Sequence, residues 1–251
     1  MIENPEKIKL SIVIPAYNEA IGITATLESV EKYLMTQSFH YEILVVANNC
    51  SDNTAQVISE YQKKSNNVKL LDVKIAEPGG AKGHAVKIGM LEARGDYRLF
   101  MDADSATRIE EVEKFWPYFE RGFEVVIASR YIQGSKIIIK QPWHRILLGR
   151  AGNFLIRSLL LPKIRDTQCG SKAFTKNASE RIFAKITIGG WGFDMEVLAL
   201  AKKFGFLVAE VPVDWYDAKR SRLDVRSAGP KVFRELLQIR RNIKKGYYDQ
   251  E

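Results

Sequence analysis

Lys9-Leu-Ser-Ile-Val-Ile-Pro15 is a run of strand length with almost no polar interruption, and its reading decides the class of fold. A strand with one wet face alternates apolar and polar residues; a near-continuous β-branched run fits a strand covered on both faces, as in a parallel sheet. The same kind of run recurs outward along the chain, in Tyr41-Glu-Ile-Leu-Val-Val-Ala47, Val68-Lys-Leu-Leu-Asp-Val73, Tyr97-Arg-Leu-Phe-Met101 and Glu124-Val-Val-Ile-Ala128. Between them the periodicity predicts helices at about 20–35, 54–65, 82–94 and 108–120. Repeated β-α-β units build a mostly parallel central sheet flanked by helices, an α/β fold whose ligands sit beyond the carboxyl ends of the strands. The second half is less regular. It reads as a helix over about 144–161, a short extended stretch after Arg165, a helix after Gly192, a strand at Val208–Val213 and a final helix opening at Pro230.

The chain has 251 residues, 46% of them hydrophobic and 27% charged, which suits one α/β domain spanning 1–251 and excludes a disordered class. No apolar run reaches the roughly 18–20 residues of a membrane-spanning helix, and Met1–Lys9 is polar and acid-containing rather than a signal peptide. Cys50 and Cys169 have no metal-ligand or CxxC spacing, which suits a reducing compartment. A cytoplasmic location follows as the expectation. The net charge of +8 is unevenly distributed: residues 1–120 hold 13 basic and 18 acidic side chains, residues 121–251 hold 25 and 12. From Val125 to Arg165 there is no acid but there are eight bases, Arg130, Arg145 and Arg150 among them, so an anionic ligand or a solvated basic face is expected there.

Two second-half helices are amphipathic. In the first, Arg150, Asn153 and Arg157 share one narrow stripe and apolar residues from Ile146 to Leu161 cover most of the rest, the pattern of a helix mostly buried in something. In the last, Val232, Leu236, Leu237, Ile239 and Ile243 oppose Lys231, Arg234, Arg241 and Lys245, as in a helix lying on protein or on an anionic membrane.

Chemistry-bearing residues cluster after the strands. Phe100-Met-Asp102-Ala103-Asp104-Ser sets two carboxylates one residue apart at a strand end, where both can aim to one side and hold Mg²⁺ or Mn²⁺ against a diphosphate; the alternative is a pair of solvated loop acids. Pro15-Ala16-Tyr17-Asn18-Glu19 offers a turn plus an aromatic ring for a base or ribose. Asn48-Asn-Cys-Ser-Asp-Asn-Thr54 offers amides able to read a nucleobase edge, or an Asx turn and helix cap. Gly79-Gly-Ala-Lys82-Gly83 precedes a helix and can face an anion, or is a plain helix entry. His40, His84 and His144 form no metal spacing, and Trp143 and Trp191 suit either a ligand contact or packing.

Taken in order with Ser129-Arg130-Tyr131, these motifs closely resemble the family 2 glycosyltransferases, whose GT-A fold binds a nucleotide-sugar and a divalent metal. Arg145 and Arg150 before Asn153-Phe-Leu, then Asp166-Thr-Gln-Cys-Gly-Ser-Lys172, Gly190-Trp-Gly-Phe-Asp194-Met-Glu196 and Glu210-Val-Pro-Val-Asp-Trp215, are similar to the branch containing dolichyl-phosphate glucosyltransferases and mannose synthases. The Gln-Cys-Gly and Trp-x-Phe-Asp stretches lie nearer the glucosyltransferases. The resemblance spans about Ile8–Leu223 and implies a division of labour: residues 1–120 hold nucleotide and metal, 121–230 the acceptor, and 231–251 form an amphipathic helix and tail. It implies that Pro15, Ala16, Tyr17, Glu19 and Asn48 cradle the nucleoside; Lys82, Asp102, Ala103 and Arg222 bind the rest of the donor; and Asp102 and Asp104 ligate Mg²⁺ or Mn²⁺. Arg130, Arg145 and Arg150 would meet the acceptor phosphate, with Asp104, Arg130 and Asp194 as catalytic residues. This chain departs from the pattern at Asn48, where many members have Asp, at Ala106, where mannose synthases carry Gln, and at Arg220, where Gly precedes the Ser-Lys-Leu equivalent.

The activity implied is inverting transfer of a hexose, glucose before mannose, from a nucleotide-diphospho-sugar (UDP-glucose first, GDP-mannose second) to a polyprenyl phosphate, on the cytoplasmic face of a membrane to which the protein is peripherally bound. A saccharide-hydroxyl acceptor would instead need a base, Asp194 first and Glu196 second, whereas with a phosphate acceptor either acid could orient Arg or Lys172. A nucleotidyltransferase lacks its Gly-rich phosphate loop here. A nonenzymatic basic module for lipid or nucleic acid explains the charge alone, and no nucleic-acid-binding signature is present.

Overall fold

The computed structural model describes residues 7–75, 81–139, 143–216 and 225–249. Arg222, Gly79, Gly80 and the side chains of Trp143, His144 and Arg145 lie outside the described residues.

The five apolar runs of the first half are strands β1 (Leu10–Ala16), β2 (Tyr41–Asn48), β3 (Val68–Val73), β4 (Tyr97–Met101) and β5 (Val125–Ser129). They alternate with helices α1 (Ile23–Leu34), α2 (Thr54–Gln62), α3 (Lys82–Glu92) and α4 (Trp116–Glu120). Then follow β6 (Lys136–Ile139), α5 (Trp143–Leu159), β7 (Ser171–Thr175), α6 (Lys176–Lys185), α7 (Phe193–Lys203), β8 (Val208–Pro212), β9 (Asp214–Tyr216) and α8 (Val225–Lys244). Seven strands form one sheet in the order β3-β2-β1-β4-β7-β5-β8, and β6 pairs with β9 in a small second sheet. All neighbours in the large sheet are parallel except β7, which runs antiparallel to both β4 and β5. Because two reversals cancel, β4 and β5 end at the same edge, and β7 begins there, with Ser171 opposite Met101.

Strand alternation divides the core. Ile12, Ile14, Ile43 and Val45 face α1 and α2, whereas Val13, Leu44, Val46 and Phe100 join the cluster that includes residues of α3, α6, α7 and α8. Both faces are covered, as the uninterrupted runs require.

Three local expectations change. The predicted 108–120 helix breaks into a 3₁₀ segment at Ile109–Lys114 and the short α4, since Pro117 has no N–H to bond the preceding turn. The last helix begins at Val225, with Pro230 inside its second turn: a proline this near the amino end forfeits one bond and does not set the boundary. Third, α5 is not mostly buried. Asn153 and Ile156 face the protein, but Leu147 is 61% and Phe154 69% exposed, and Leu148 and Leu155 are exposed as well. Periodicity located the polar stripe correctly, but that stripe contributes to the contact with the protein and much of the apolar surface faces outward.

Candidate active site

The loops after β1, β2 and β4 each turn through a non-glycine residue in the left-handed region: Asn18 (φ 54°), Asn49 (φ 53°) and Ser105 (φ 53°). Asparagine tolerates this conformation when its amide bonds locally, and both do. The Asn18 Oδ1 accepts from the backbone N–H of Ser51 (2.7 Å) and of Asp52 (3.3 Å). Asn49 exchanges two 2.8 Å bonds with the backbone of Ile75, and the Glu19 N–H donates to Thr54 Oγ1 at 2.7 Å. Asp52 supplies the Asx turn into α2, accepting from the Thr54 N–H at 3.0 Å. The Asx-turn reading thus holds at Asp52, whereas the helix N-cap, Asn53, makes no side-chain capping bond. Asn48 differs: it donates to the Ala81 carbonyl at 3.0 Å, while its buried Oδ1 has no partner among the described residues. An orphaned acceptor in a cleft wall suits an N–H of a ligand. Pro15 and Ala16 are buried beneath this rim, and Tyr17 and Glu19 are partly exposed on it.

Asp102 and Asp104 follow β4 at the same edge. Their loop is tethered to α1 by Thr26, whose hydroxyl donates to the Ala103 carbonyl at 2.6 Å. Asp104 accepts from the Ala106 N–H at 3.0 Å. Burial, then the Asp102 charge, push its pKa up to about 6. Asp102 lies so close to Gly170 that any side chain there would strike its carboxylate. Lys82, first residue of α3, pairs with Asp102 at 2.5 Å beneath the ring of Trp191, whose centroid is 5.5 Å from the ammonium. Burial opposes the Lys82 charge, but Asp102 and then Asp194 outweigh it and hold its pKa above the ordinary value. Two crowded carboxylates with hard oxygen donors fit a divalent cation. Among the described residues no group of three or more acidic, histidine or cysteine side chains could hold a metal, so the remaining positions would fall to phosphate oxygens and water.

Both acids considered as a base are engaged. Lys172, fully buried on β7, donates to Asp194 Oδ1 at 2.5 Å and to the Cys169 carbonyl at 2.6 Å. Glu196 accepts from the N–H groups of Thr187 (2.9 Å) and Ile188 (2.7 Å) and the hydroxyls of Thr187 and Tyr248 (each 2.6 Å), a full set of structural bonds.

At the end of β5, Arg130 forms a bidentate pair with buried Asp166 (2.7 and 2.9 Å), which also accepts from the Arg130 N–H at 2.9 Å. Asp166 keeps its pKa below the ordinary carboxylate value, because the Arg130 pair outweighs the cost of burial. Asp166 was in a quoted motif without a role; as the first acid after an acid-free run of eight bases, it was the natural partner for one of them. Arg130 also lies over the rings of Tyr131 (5.2 Å) and Trp215 (5.4 Å), and Trp215 bridges to Thr107 just beyond the paired aspartates. Burial raises the Tyr131 pKa, and the charges of Arg130 and, after it, Arg150 act against that rise. The structure thus places Arg130 on the edge shared with Asp102 and Asp104, with Arg150 exposed on α5. Asn153 belongs elsewhere, bonding the Arg165 carbonyl (2.6 Å) and the Thr167 hydroxyl (2.9 Å) to anchor α5. No described helix is long and apolar enough to cross a membrane.

Comparison with known proteins agrees with this geometry. The model of "Glycosyl transferase family 2" matches residues 11–183. The dolichyl-phosphate beta-glucosyltransferases of Dictyostelium discoideum and Homo sapiens are 35% and 31% identical, each match covering 95% of this chain and 76% of the relative. Among solved structures, mannosyl-3-phosphoglycerate synthase from Rubrobacter xylanophilus superposes with a TM-score of 0.68 at 19% identity, covering 97% of this chain and 76% of the other. Glucosyl-3-phosphoglycerate synthase from Mycobacterium tuberculosis, crystallised with Mn²⁺, uridine diphosphate and phosphoglyceric acid, gives 0.67 at 20% identity, covering 92% and 78%. With the ordered motifs, the sheet and these likenesses in agreement, the chain belongs to the family 2 glycosyltransferases and has their GT-A fold.

Proposed function

We propose that this glycosyltransferase moves a hexose, glucose by preference, from a nucleotide-diphospho-sugar to a polyprenyl phosphate. One observation carries the reading. Arg130, locked to Asp166 and lying over the rings of Tyr131 and Trp215, stands at the edge occupied by Asp102 and Asp104, while Asp194 is held by Lys172 and Glu196 by four hydrogen bonds. A phosphate monoester has its second pKa near 6, so at neutral pH it is largely ionised and needs no strong base. It needs relief from repulsion by the donor diphosphate, which arginine supplies with permanently charged, bidentate donors. The names of the dolichyl-phosphate relatives support the same acceptor class.

In this reading Tyr17 and Asn48 hold the base and ribose, Asn48 offering its orphaned Oδ1 to a base N–H; the preference for UDP-glucose over GDP-mannose is supported by the names of the glucosyltransferase relatives. Lys82 and Arg222 bind the diphosphate. Asp102 and Asp104 hold Mg²⁺ or Mn²⁺, which when bound would neutralise charge on the leaving diphosphate; a neighbour crystallised with Mn²⁺ and uridine diphosphate supports that assignment. Arg130, kept in place by Asp166, and Arg150, with Arg145, receive the acceptor phosphate, and Asp194 orients Lys172 near the donor. The chain works as a single domain with a nucleotide half, an acceptor half and a terminal helix.

The exposed apolar side chains of α5, with Phe233 and Leu237 on α8 and Ile138 and Ile139 on β6, would rest on an anionic membrane at its cytoplasmic face, among the basic residues of the second half. Radiolabelled UDP-glucose and polyprenyl phosphate should yield a mild-acid-labile lipid product. Transfer only to a soluble saccharide would instead favour Asp194 as a base, and Asp194→Asn would then abolish turnover rather than reduce it.

A further inference from the structure

The helical turn that carries Asp194 is gripped from outside by the terminal segment of the chain. Glu235, buried on α8, accepts the Gly192 N–H through Oε2 at 2.8 Å. Its carboxylate packs so tightly against Gly190 and Gly192 that a side chain at either position would collide with it. Four residues into α7, Glu196 receives the hydroxyl of Tyr248, which is itself buried just beyond α8 and steadied by Asn242 at 3.3 Å. Asp194 lies between these two anchor points. Gly192 is the N-cap of α7 and has no capping side chain of its own, so the Glu235 carboxylate also places its charge at the favourable end of that helix. Trp191, bracketed by the two glycines, is held next to Lys82.

This grip exceeds what packing of an amphipathic helix needs. Leu236 and Ile239 already bury the apolar side of α8, and Glu235 is the only acid between Asp224 and Asp249. A buried carboxylate reaching a backbone amide fixes position and direction in a way that aliphatic contacts do not. From this geometry we infer that Glu235, with Tyr248 behind it, is a positioning residue for glycosyl transfer, setting the Gly190–Asp194 turn so that Trp191 and the Asp194–Lys172 pair face the Lys82 end of the donor site. The inference rests on the reading above, in which Lys82 and Lys172 serve the donor. It adds that the terminal helix, whose Phe233 and Leu237 are exposed on its outer side, is mechanically continuous with the catalytic edge.

The test compares Glu235→Ala, Glu235→Gln and Tyr248→Phe with the wild-type chain in the lipid-phosphate assay, alongside calorimetric affinity for uridine diphosphate with Mn²⁺. Glu235→Ala should lower kcat by about 10- to 100-fold, the scale of an ångström-level misplacement, with nucleotide affinity within about twofold of wild type. Glu235→Gln, which keeps an acceptor oxygen for the Gly192 N–H, should recover most of the loss. A Glu235→Ala variant with kcat within about twofold of wild type, or one whose kcat, nucleotide affinity and thermal midpoint fall together without recovery in Gln, overturns the inference. If the alanine variant does not fold, Tyr248→Phe removes one hydroxyl and is read for the same split; an unchanged kcat there overturns it too. Hydrogen exchange separates this inference from the acceptor reading. Faster exchange across 189–197 in Glu235→Ala, with exchange across 48–54 unchanged, supports the grip even if wild type forms no lipid product, a result that would sink the lipid-phosphate reading alone.

Discussion

The edge built by the first half and the face presented by the second solve opposite problems. Around β1, β2 and β4 the loops are cross-bonded, three residues sit in the left-handed region, and nearly every polar group has a protein partner. Such cross-bonding suits a preformed site for a soluble polar ligand, where geometric precision outweighs area. On α5 and α8 several apolar side chains, Leu147, Phe154, Phe233 and Leu237 among them, are exposed, the neighbouring charges are basic, and Arg150 is exposed. A yielding surface such as a bilayer needs area and charge but no fixed register. In the proposed reading the two substrates are recognised by different physics, and damage to the exposed apolar surface should leave the nucleotide site intact.

The largest expected effect tests the seam between them. Lys172→Met leaves Asp194 buried and unpaired and should destabilise the chain by about 3–5 kcal/mol in urea unfolding, with Lys172→Met/Asp194→Leu recovering part of it. A loss below about 1 kcal/mol would mean that the pair is not the joint described. Next, Asp104→Asn, or chelation of divalent cations from the wild type, should cut turnover by about two to three orders of magnitude and abolish Mn²⁺-dependent uridine diphosphate binding by calorimetry, while vesicle binding stays unchanged. Phe154→Ser should do the reverse. Removing one well-exposed aromatic should weaken binding to anionic vesicles about tenfold in a sedimentation assay without lowering the melting temperature. The smallest effect belongs to Thr26→Val, which deletes the bond to the Ala103 carbonyl at nearly constant volume. It should cost about 1 kcal/mol in stability, with a modest loss of nucleotide affinity and none of vesicle affinity.

How much of this was legible in the sequence follows the same division. The five first-half strands emerge nearly to the residue; in four of them burial on both faces leaves an almost uninterrupted apolar run, while β3, at the sheet edge, mixes buried and exposed residues. β7 is harder: Ser171-Lys-Ala-Phe-Thr175 carries a lysine that is buried only because Asp194 meets it, a pairing no local pattern reveals. α6 is short and polar overall, its buried face limited to Ala178, Ser179, Ile182 and Phe183, and a signal for its start was Thr175, whose hydroxyl accepts from the Ala178 N–H. In α5 the period was right, but a helical stripe specifies its own geometry and not the medium it meets, and this chain alone covers only part of the apolar surface. The Asp102–Asp104 pair and the Arg130–Tyr131 turn were legible as motifs. The partners that hold them, Gly170, Thr26 and Asp166, come from distant parts of the chain, so only the register of the folded sheet brings them together.

The reversed strand also bears on how the molecule assembles. β1 to β4 are contiguous in the chain and can pair as soon as residues up to Met101 are available, but the neighbour that closes β4 arrives only with Ser171–Thr175. During synthesis from the amino end, the edge of β4 therefore stays open while some 70 further residues are made. The edge around Asp102 is then among the last features to close, since Gly170 and Lys172 enter with that strand, and until then β4 presents an unpaired backbone edge.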